Sequence, residues 1–195
     1  SLLFSSLNIL ANNFLPVIRA LAFLEVVVKF VAFIFVLFVS IAHADEPLPK
    51  PASYRTCDSF INFCAYSEVG KNTTVYAVNG KFSVHEMYQI SGWHRSIFIS
   101  QTGKYVAIGY SGLNLVNKDV TAQEVMLTIY ENGELVKEYT LGQLLHTMDS
   151  LKLTSSHYHW GNIMQIDDYG VELETVEGLV GIVHSTGKIY LPNES

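Results

Sequence analysis

Short apolar segments separated by glycine-containing turns recur along the chain from residue 54 onwards. The segments are rich in β-branched and aromatic residues and partly alternate between apolar and polar positions, as half-buried antiparallel strands do. Glycine tolerates the positive φ that tight hairpin turns require. The five turns are Asn79-Gly80, Thr102-Gly103, Asn132-Gly133, Tyr169-Gly170 and Thr186-Gly187. The pattern predicts an all-β domain built as an antiparallel hairpin meander.

One segment has the periodicity of a helix instead. Four of its apolar residues fall on one helical stripe: Leu141, Leu144, Leu145 and Met148. Thr140 and Gln143 have the spacing of a capping box at its start. The pattern predicts one short helix near residues 141–149 that covers a sheet edge or a barrel end. His146 lies off the stripe, and we expect it in solvent.

The connection from Ser111 to Glu124 is longer than a hairpin loop and lies between two predicted strands. Long loops in compact domains often carry function. The alternative is a crossover that only links two sheets. The sequence leaves both interpretations open.

The beginning of the chain has the layout of a secretory leader. Lys29 precedes the apolar run Phe30 to Ile41, and Ala42-His43-Ala44 follows as an A-x-A cleavage site. A membrane-spanning helix, the rival interpretation, needs about 20 apolar residues, and Glu25 and Lys29 interrupt the longer stretch. The layout predicts a signal peptide over residues 28–44, a periplasmic or secreted protein, and no stable membrane span after cleavage.

The rest of the chain divides around this leader. Residues 1–27 are interpreted as an upstream or non-native leader, and residues 45–53 as a linker, because "DEPLPKP" has three prolines in seven residues. Residues 54–195 are expected to form a single β domain. Beyond residue 44 there are ten basic and seventeen acidic residues, a net charge of −7 with neutral histidine. This balance argues against nucleic acid as a partner and provides no polybasic patch for an anionic membrane.

The chain has two cysteines, Cys57 and Cys64. In an exported chain two cysteines most simply form one disulfide. Two thiolates are too few for a structural zinc site, and the C-x-x-C spacing of redox proteins is absent from the sequence. We therefore predict a Cys57–Cys64 disulfide.

The stretch "SSHYHW", residues 155–160, is the best candidate for chemistry. On a strand, His157 and His159 would point to the same face and could offer two imidazoles to zinc or copper. A catalytic zinc site needs a third protein ligand and an open position. Four residues are candidates for that ligand, and their spacing favours none of them: His85, Glu86, His94 and His184.

The alternative for this stretch is structural, and it is the one we expect. Ser155 and Ser156 are placed to bond the histidines, Trp160 is expected in the core, and Gly161 suggests a bend. A serine hydrolase is a weaker interpretation because no G-x-S-x-G motif is present.

A group of carboxylates crosses the fourth turn. Its members are Asp167, Asp168, Glu172, Glu174 and Glu177. Such groups can bind Ca²⁺ or carry out glycosidase chemistry. The sequence has no calcium-loop motif, so we expect a solvated charged face that protects a sheet edge.

Three segments carry a resemblance to known proteins: "WHRSIFISQTGKYVAIGYSG", "VMLTIYENGELVKEYTLGQLL" and "TSSHYHWG". They resemble parts of small exported bacterial proteins of uncharacterised function, and their strand-turn units are similar to β-propeller blades. The turn "S-x-T-G-K-Y-V" has Thr102 where such blades often have an acidic residue. The resemblance implies architecture and brings no catalytic residue. Since a closed ring needs at least four blades of about 40 residues, we expect a sandwich, an irregular barrel or an incomplete propeller.

The function expected from these features is that of a non-enzymatic, β-rich binding module of the cell envelope. Its partner would be a protein or an envelope component, and no cofactor is expected. The alternative is a metal-binding protein or metalloenzyme that holds zinc or copper through His157 and His159. A hydrolase of unknown type is the third hypothesis.

Overall fold

The computed structural model describes residues 47–79 and 83–192. The predicted leader at 1–27 and the predicted signal peptide at 28–44 lie outside the described residues, as does Gly80 of the first predicted turn. Within the described part, no helix is long and apolar enough to cross a membrane.

Four antiparallel sheets make up the fold. The N-terminal sheet has the order β1-β2-β3-β4, with β1 (Tyr54–Cys57), β2 (Phe63–Ser67), β3 (Thr73–Asn79) and β4 (Ser83–Ile90). The central sheet has the order β5-β6-β8-β9, with β5 (Ile97–Ile99), β6 (Tyr105–Gly109), β8 (Val125–Glu131) and β9 (Glu134–Thr140).

The other two sheets are a small three-stranded sheet, whose first strand lies in sequence between β6 and β8, and a C-terminal sheet. The small sheet has the order β10-β11-β7, with β7 (Leu115–Val116), β10 (Lys152–Leu153) and β11 (Tyr158–His159). The C-terminal sheet has the order β12-β13-β14-β15, with β12 (Gly161–Ile166), β13 (Gly170–Thr175), β14 (Gly178–Val183) and β15 (Ile189–Tyr190). The predicted all-β hairpin meander is confirmed.

The central sheet is buried on both faces, which explains why β6 reads as a continuous apolar run. Val106 and Ile108 belong to the core cluster shared with the N-terminal sheet. Tyr105 and Ala107, on the opposite face, belong to the larger cluster shared with the other two sheets. Successive side chains of a strand point to opposite faces, so this one strand supports two cores.

The three four-stranded sheets of the described part are in contact through their first strands. Strand β5 contacts β1 of the N-terminal sheet and β12 of the C-terminal sheet. The sheets do not close into a barrel within the described residues, so of the predicted architectures the irregular barrel is wrong. This arrangement of open sheets fits both the predicted sandwich and the predicted incomplete propeller.

The turn predictions are confirmed wherever the structure describes them. The dipeptides at 102–103 and 132–133 connect β5 to β6 and β8 to β9, and those at 169–170 and 186–187 lie where β12 meets β13 and β14 meets β15. Asn132 and Gly133 have φ values of 49° and 87°. Positive φ at both central residues is the geometry that matches the twist of a hairpin.

The single helix in the described part, α1 (Leu141–Leu144), is present but shorter than predicted. The side chain of Gln143 accepts a hydrogen bond from the Thr140 N–H at 2.9 Å, as the capping box requires. Leu145 is already extended, and Met148–Ser150 form a separate 3-10 turn. The helix ends early because the Glu177 carboxylate accepts hydrogen bonds from the next two backbone N–H groups, those of His146 and Thr147.

Candidate functional site

The stretch at 155–160 holds the long connection in place. Trp160 is buried, with 1% of its surface exposed, and its indole Nε1 donates a hydrogen bond of 2.7 Å to the Leu113 carbonyl oxygen. The Trp160 N–H donates to the Asn114 carbonyl oxygen at 3.1 Å. Strand β11 pairs with β7, which is part of the long connection. The expected burial of Trp160 is confirmed, and the connection is fastened to the small sheet.

The two histidines of this stretch are half-buried. The Nδ1 of His157 lies 2.8 Å from the Ser156 hydroxyl oxygen, and His159 pairs with Leu115 in the small sheet. Among the described residues, no three His, Cys, Asp or Glu side chains are grouped so that they could hold a metal ion. Metal binding through His157 and His159 stays a prediction.

The candidate third ligands lie in other parts of the fold. His85 and Glu86 are exposed on β4. The His94 Nε2 lies 2.9 Å from the Ser91 carbonyl oxygen, and the His184 Nε2 lies 2.9 Å from the Asp167 carbonyl oxygen. Burial lowers the pKa of both His94 and His184.

Four of the five predicted carboxylates accept hydrogen bonds within the fold. Asp167 accepts hydrogen bonds from the Tyr169 and Gly170 N–H groups and so shapes the fourth turn. Asp168 accepts a hydrogen bond of 2.5 Å from the Thr102 hydroxyl. Glu172 accepts one from Gln165, and Glu177 accepts two from the chain after α1. Glu172 and Glu174 are both exposed on one face of β13, as periodicity predicts.

The long connection lines a cleft of about 500 Å³. His157 borders this cleft together with Tyr110, Leu115 and Asn117. Burial raises the pKa of Tyr110, and the nearby Glu124 and Asp119 carboxylates raise it further. The structure thus brings the two candidate features of the sequence, His157 and the long loop, to one cleft.

The most unusual geometry lies elsewhere, at the tip of the β1–β2 hairpin. Phe60 and Ile61 form this tip, and their exposed fractions are 66% and 60%. Ile61 has a φ of 59°, in the left-handed region. A β-branched residue there is a genuine outlier and costs about 1–3 kcal/mol. The hairpin therefore holds two large apolar side chains in solvent on a strained backbone.

A buried carboxylate clamps the tip. Asp58 is 5% exposed, and its two oxygens accept hydrogen bonds from the Phe60 N–H at 2.9 Å and the Phe63 N–H at 2.7 Å. The Asp58 backbone carbonyl oxygen accepts a third, from the Ile61 N–H at 3.1 Å. Each end of the turn is thus tied to one aspartate, which fixes the turn in a single conformation.

The predicted disulfide is confirmed and lies directly behind the tip. Cys57 and Cys64 are directly opposite each other on β1 and β2, with an S–S distance of 2.02 Å. Behind the tip, the Phe63 ring packs against the β5–β6 turn so closely that a Cβ on Gly103 would lie 2.4 Å from it. The tip is therefore fixed both within its hairpin and against the central sheet.

A cleft of about 300 Å³ adjoins the tip. The first strands of the three four-stranded sheets, with the residues that follow each of them, line this cleft: Thr56 to Ser59, Phe98, Ile99, Gln101 and Met164 to Asp167. Met164 is the extra residue of a β-bulge in β12 and is 51% exposed. Bulges re-aim side chains at the edges of sheets. Ser59, which directly precedes Phe60, also lines the cleft, so the cleft begins beside the tip.

Sequence reasoning missed this tip. The local signal was "CDSFINFC", residues 57–64, in which Phe60 and Ile61 occupy the centre of a short hairpin where polar turn residues are usual. An aspartate at the first turn position and flanking cysteines complete the signal. Two consecutive apolar residues at the centre of so short a hairpin are the feature by which the sequence marks this tip.

No protein-family model matches this chain, and no match to it was found among the curated proteins.

Proposed function

We propose that the chain is an exported, non-enzymatic binding module of the cell envelope that docks on a partner protein through the β1–β2 tip. The strained, clamped and exposed pair Phe60-Ile61 carries the proposal. Backbone strain persists only where the surrounding structure imposes it, and it concentrates at functional positions. Here a disulfide and a buried aspartate impose it.

The tip has the properties that favour tight protein recognition. A few large side chains seated in pockets of the partner carry most of the binding energy of an interface. A side chain that is rigid before binding loses less conformational entropy, so more of the contact energy appears as affinity. The clamped turn constrains the backbone that carries Phe60 and Ile61, which lowers the backbone part of this cost. The cleft beside them can receive a projection from the partner.

A protein partner is favoured over a lipid surface by charge. None of the described residues that line the adjoining cleft is Lys or Arg, and Asp58 and Asp167 are among them. Anionic membranes attract clusters of basic residues. With a net charge of −7 beyond residue 44, electrostatic attraction to an anionic bilayer or to nucleic acid is not expected. The partner is instead expected to present an apolar pocket beside basic or neutral groups.

Export is supported by two independent features. The first is the predicted signal peptide at 28–44, and the second is the Cys57–Cys64 disulfide, a bond typical of oxidising compartments. Together they favour a periplasmic or secreted location, in which the partner would be a protein of the envelope.

Site-specific photo-cross-linking tests the proposal. A photoreactive phenylalanine analogue is placed at Phe60, and the chain is irradiated in an envelope extract of the producing cells. As a matched control, the same analogue replaces Leu153, which is 63% exposed on β10. We expect one protein adduct from position 60, absent from position 153 and suppressed by excess wild-type chain.

The competing occupants give different products. A lipid adduct, or equal binding of both chains to vesicles of phosphatidylethanolamine and phosphatidylglycerol, would replace docking on a protein by membrane contact. A dimer of the chain itself, or the same adducts from both positions, would also refute the proposal.

A further inference from the structure

A straight row of residues crosses the outer face of the C-terminal sheet. Gln165 of β12 is paired with Glu172 of β13, Glu172 with Gly181 of β14, and Gly181 with Tyr190 of β15. Paired residues lie side by side on the same face of a sheet. Amide, carboxylate, glycine and phenol therefore follow one another across four strands.

The glycine opens a groove in this row. Gly181 has no side chain between Glu172 and Tyr190, and a groove of about 200 Å³ lies there. Tyr190 and Tyr169 also line it, with exposed fractions of 52% and 82%. The Lys188 ammonium lies 4.4 Å from the centre of the Tyr190 ring and makes a cation–π contact with it. The groove thus has a flat floor and aromatic walls.

The polar groups of the groove are oriented in advance. The Gln165 Nε2 donates a hydrogen bond of 2.8 Å to a carboxylate oxygen of Glu172. A carboxylate offers about four acceptor sites, so Glu172 retains capacity for two neighbouring hydroxyl donors. Hydrogen bonds to an ionised acceptor are stronger than neutral ones. Such an arrangement recognises a ligand rich in hydroxyl groups.

The aromatic walls require a second property of the ligand. A tyrosine ring presents a flat apolar face with a negative quadrupole, which attracts the weakly positive C–H groups of a flat ring. A hexopyranose with equatorial substituents has such a face on each side and hydroxyls around its edge. The carboxylates of Glu172 and Asp167, which also line the groove, would repel an anionic sugar.

From this geometry we infer a carbohydrate site: the groove between Glu172 and Tyr190 binds one ring of a neutral, β-linked hexopyranose chain. The proposed role of the groove is to bind the sugar ring, without cleavage of any bond. The groove lies on the C-terminal sheet and relies on neither Phe60 nor Ile61, although Gln165 and Asp167 also line the cleft beside the tip. A carbohydrate ligand of this groove goes beyond the proposed docking on a protein. It adds the envelope polysaccharides to the ligands of the module.

Titration of the isotope-labelled whole chain with cellotetraose, followed by amide chemical-shift mapping, tests the site. We expect saturable shifts at Gly170, Glu172 and Gly181, and none with sorbitol, which has hydroxyls but no ring. The decisive variant is Gly181→Val. A Cβ at this position would meet nothing closer than the Tyr190 Cβ at 4.0 Å, and valine favours strands. The variant should fold, and its valine side chain should fill the floor of the groove and weaken binding of cellotetraose at least tenfold.

Leu179→Ala is the matched control. Leu179 is 68% exposed on the same strand, two residues from Gly181 and on the same face, and it does not line the groove. This variant should bind cellotetraose within twofold of the wild type, whereas Tyr190→Ala should weaken binding at least tenfold. Absence of saturation with cellotetraose, equal shifts with sorbitol, or unchanged affinity in a folded Gly181→Val chain would each overturn the inference.

Discussion

The Trp160 indole nitrogen donates a hydrogen bond of 2.7 Å to the carbonyl oxygen of Leu113, 47 residues earlier in the chain. Leu113 has a φ of 61° within the turn that begins the long connection. The buried side chain of Trp160, which lies between β11 and β12, therefore holds a strained position of that connection. This contact gives Trp160 of the stretch at 155–160 a structural role.

Removing this anchor should be costly. Trp160→Ala is expected to lower the free energy of unfolding by about 3–5 kcal/mol, because it empties the space of a fully buried indole. Trp160→Phe should cost less, since it keeps most of the packing and loses the hydrogen bond to Leu113. Urea unfolding curves of the two variants give the comparison. A loss below 1 kcal/mol for Trp160→Ala would show that the small sheet does not depend on this contact.

The disulfide should contribute stability mainly through the unfolded chain. Cys57 and Cys64 are seven residues apart, and closing so short a loop is worth about 2–3 kcal/mol in the chain-entropy model. The Cys57→Ser, Cys64→Ser double variant should lose about that amount in urea unfolding. Mass measurement should show two additional hydrogens on reduction and no alkylation of the native chain. Two thiols alkylated without reductant would contradict the bond.

Stability should fall as the solution becomes acidic, and His184 is one cause. Burial lowers its pKa, while the Asp167 hydrogen bond and the Asp167, Asp168 and Glu131 carboxylates only partly oppose this. The unfolded chain then binds more protons than the folded chain as pH falls through the ordinary histidine pKa of 6.5. The stabilisation present above that pKa is therefore lost below it.

His184→Phe isolates this contribution. Phenylalanine can keep the stack on the Tyr105 ring, which His184 makes at 4.1 Å between centroids, and it does not titrate. The free energy of unfolding of the variant should change less between about pH 7.5 and about pH 5.5 than that of the wild type. His85→Gln, at an exposed position on β4, serves as control and should keep the wild-type slope. An unchanged slope in His184→Phe would exclude His184 as a cause.

His157, which precedes β11, and His159, within it, are expected to act on structure and not on metal content. His157→Ala removes the ring bonded to Ser156, and His159→Ala removes a side chain of β11, so both should lower stability modestly, by about 1 kcal/mol. Elemental analysis of the purified wild type should show no stoichiometric zinc or copper. Stoichiometric metal that disappears in either variant would establish the metal-binding alternative.

Local patterns were sufficient to predict most of the secondary structure. Glycine at 103, 133, 170 and 187 marks hairpin turns because the positive φ or tight approach at such positions is a property of a few neighbouring residues. The disulfide was predicted from two cysteines in a chain with a predicted signal peptide. These features depend on residues that are close together in the sequence, so they can be predicted without knowledge of the fold.

Features that depend on contacts between distant parts of the chain could not be predicted from the sequence. The helix after Thr140 stops at Leu144 because Glu177, more than 30 residues later, binds the next N–H groups. The role of Trp160 depends on its pairing with the long connection. The row of residues from Gln165 to Tyr190 is defined only by the pairing register of four strands. Without that register, Gly181 cannot be recognised as the position of a groove.

The strain at Ile61 was hidden for a further reason. A left-handed φ at a β-branched residue contradicts the local preference of that residue, so no pattern of propensities can predict it. The left-handed backbone of Ile61 is held by the carboxylate of Asp58, which accepts hydrogen bonds at both ends of the turn. These contacts are known only from the structure. Positions at which local preference and structure disagree are the ones at which function is expected.

Paired measurements of stability and binding on Ile61→Gly test the central claim most directly. Glycine adopts the left-handed region without strain, so this variant should be more stable by about 1 kcal/mol, while loss of the apolar side chain should weaken binding of the partner cross-linked from position 60 at least tenfold. Phe60→Ala should weaken binding as strongly with stability unchanged within about 0.5 kcal/mol. A Gly variant that is more stable and binds that partner as tightly as the wild type would contradict docking through the tip.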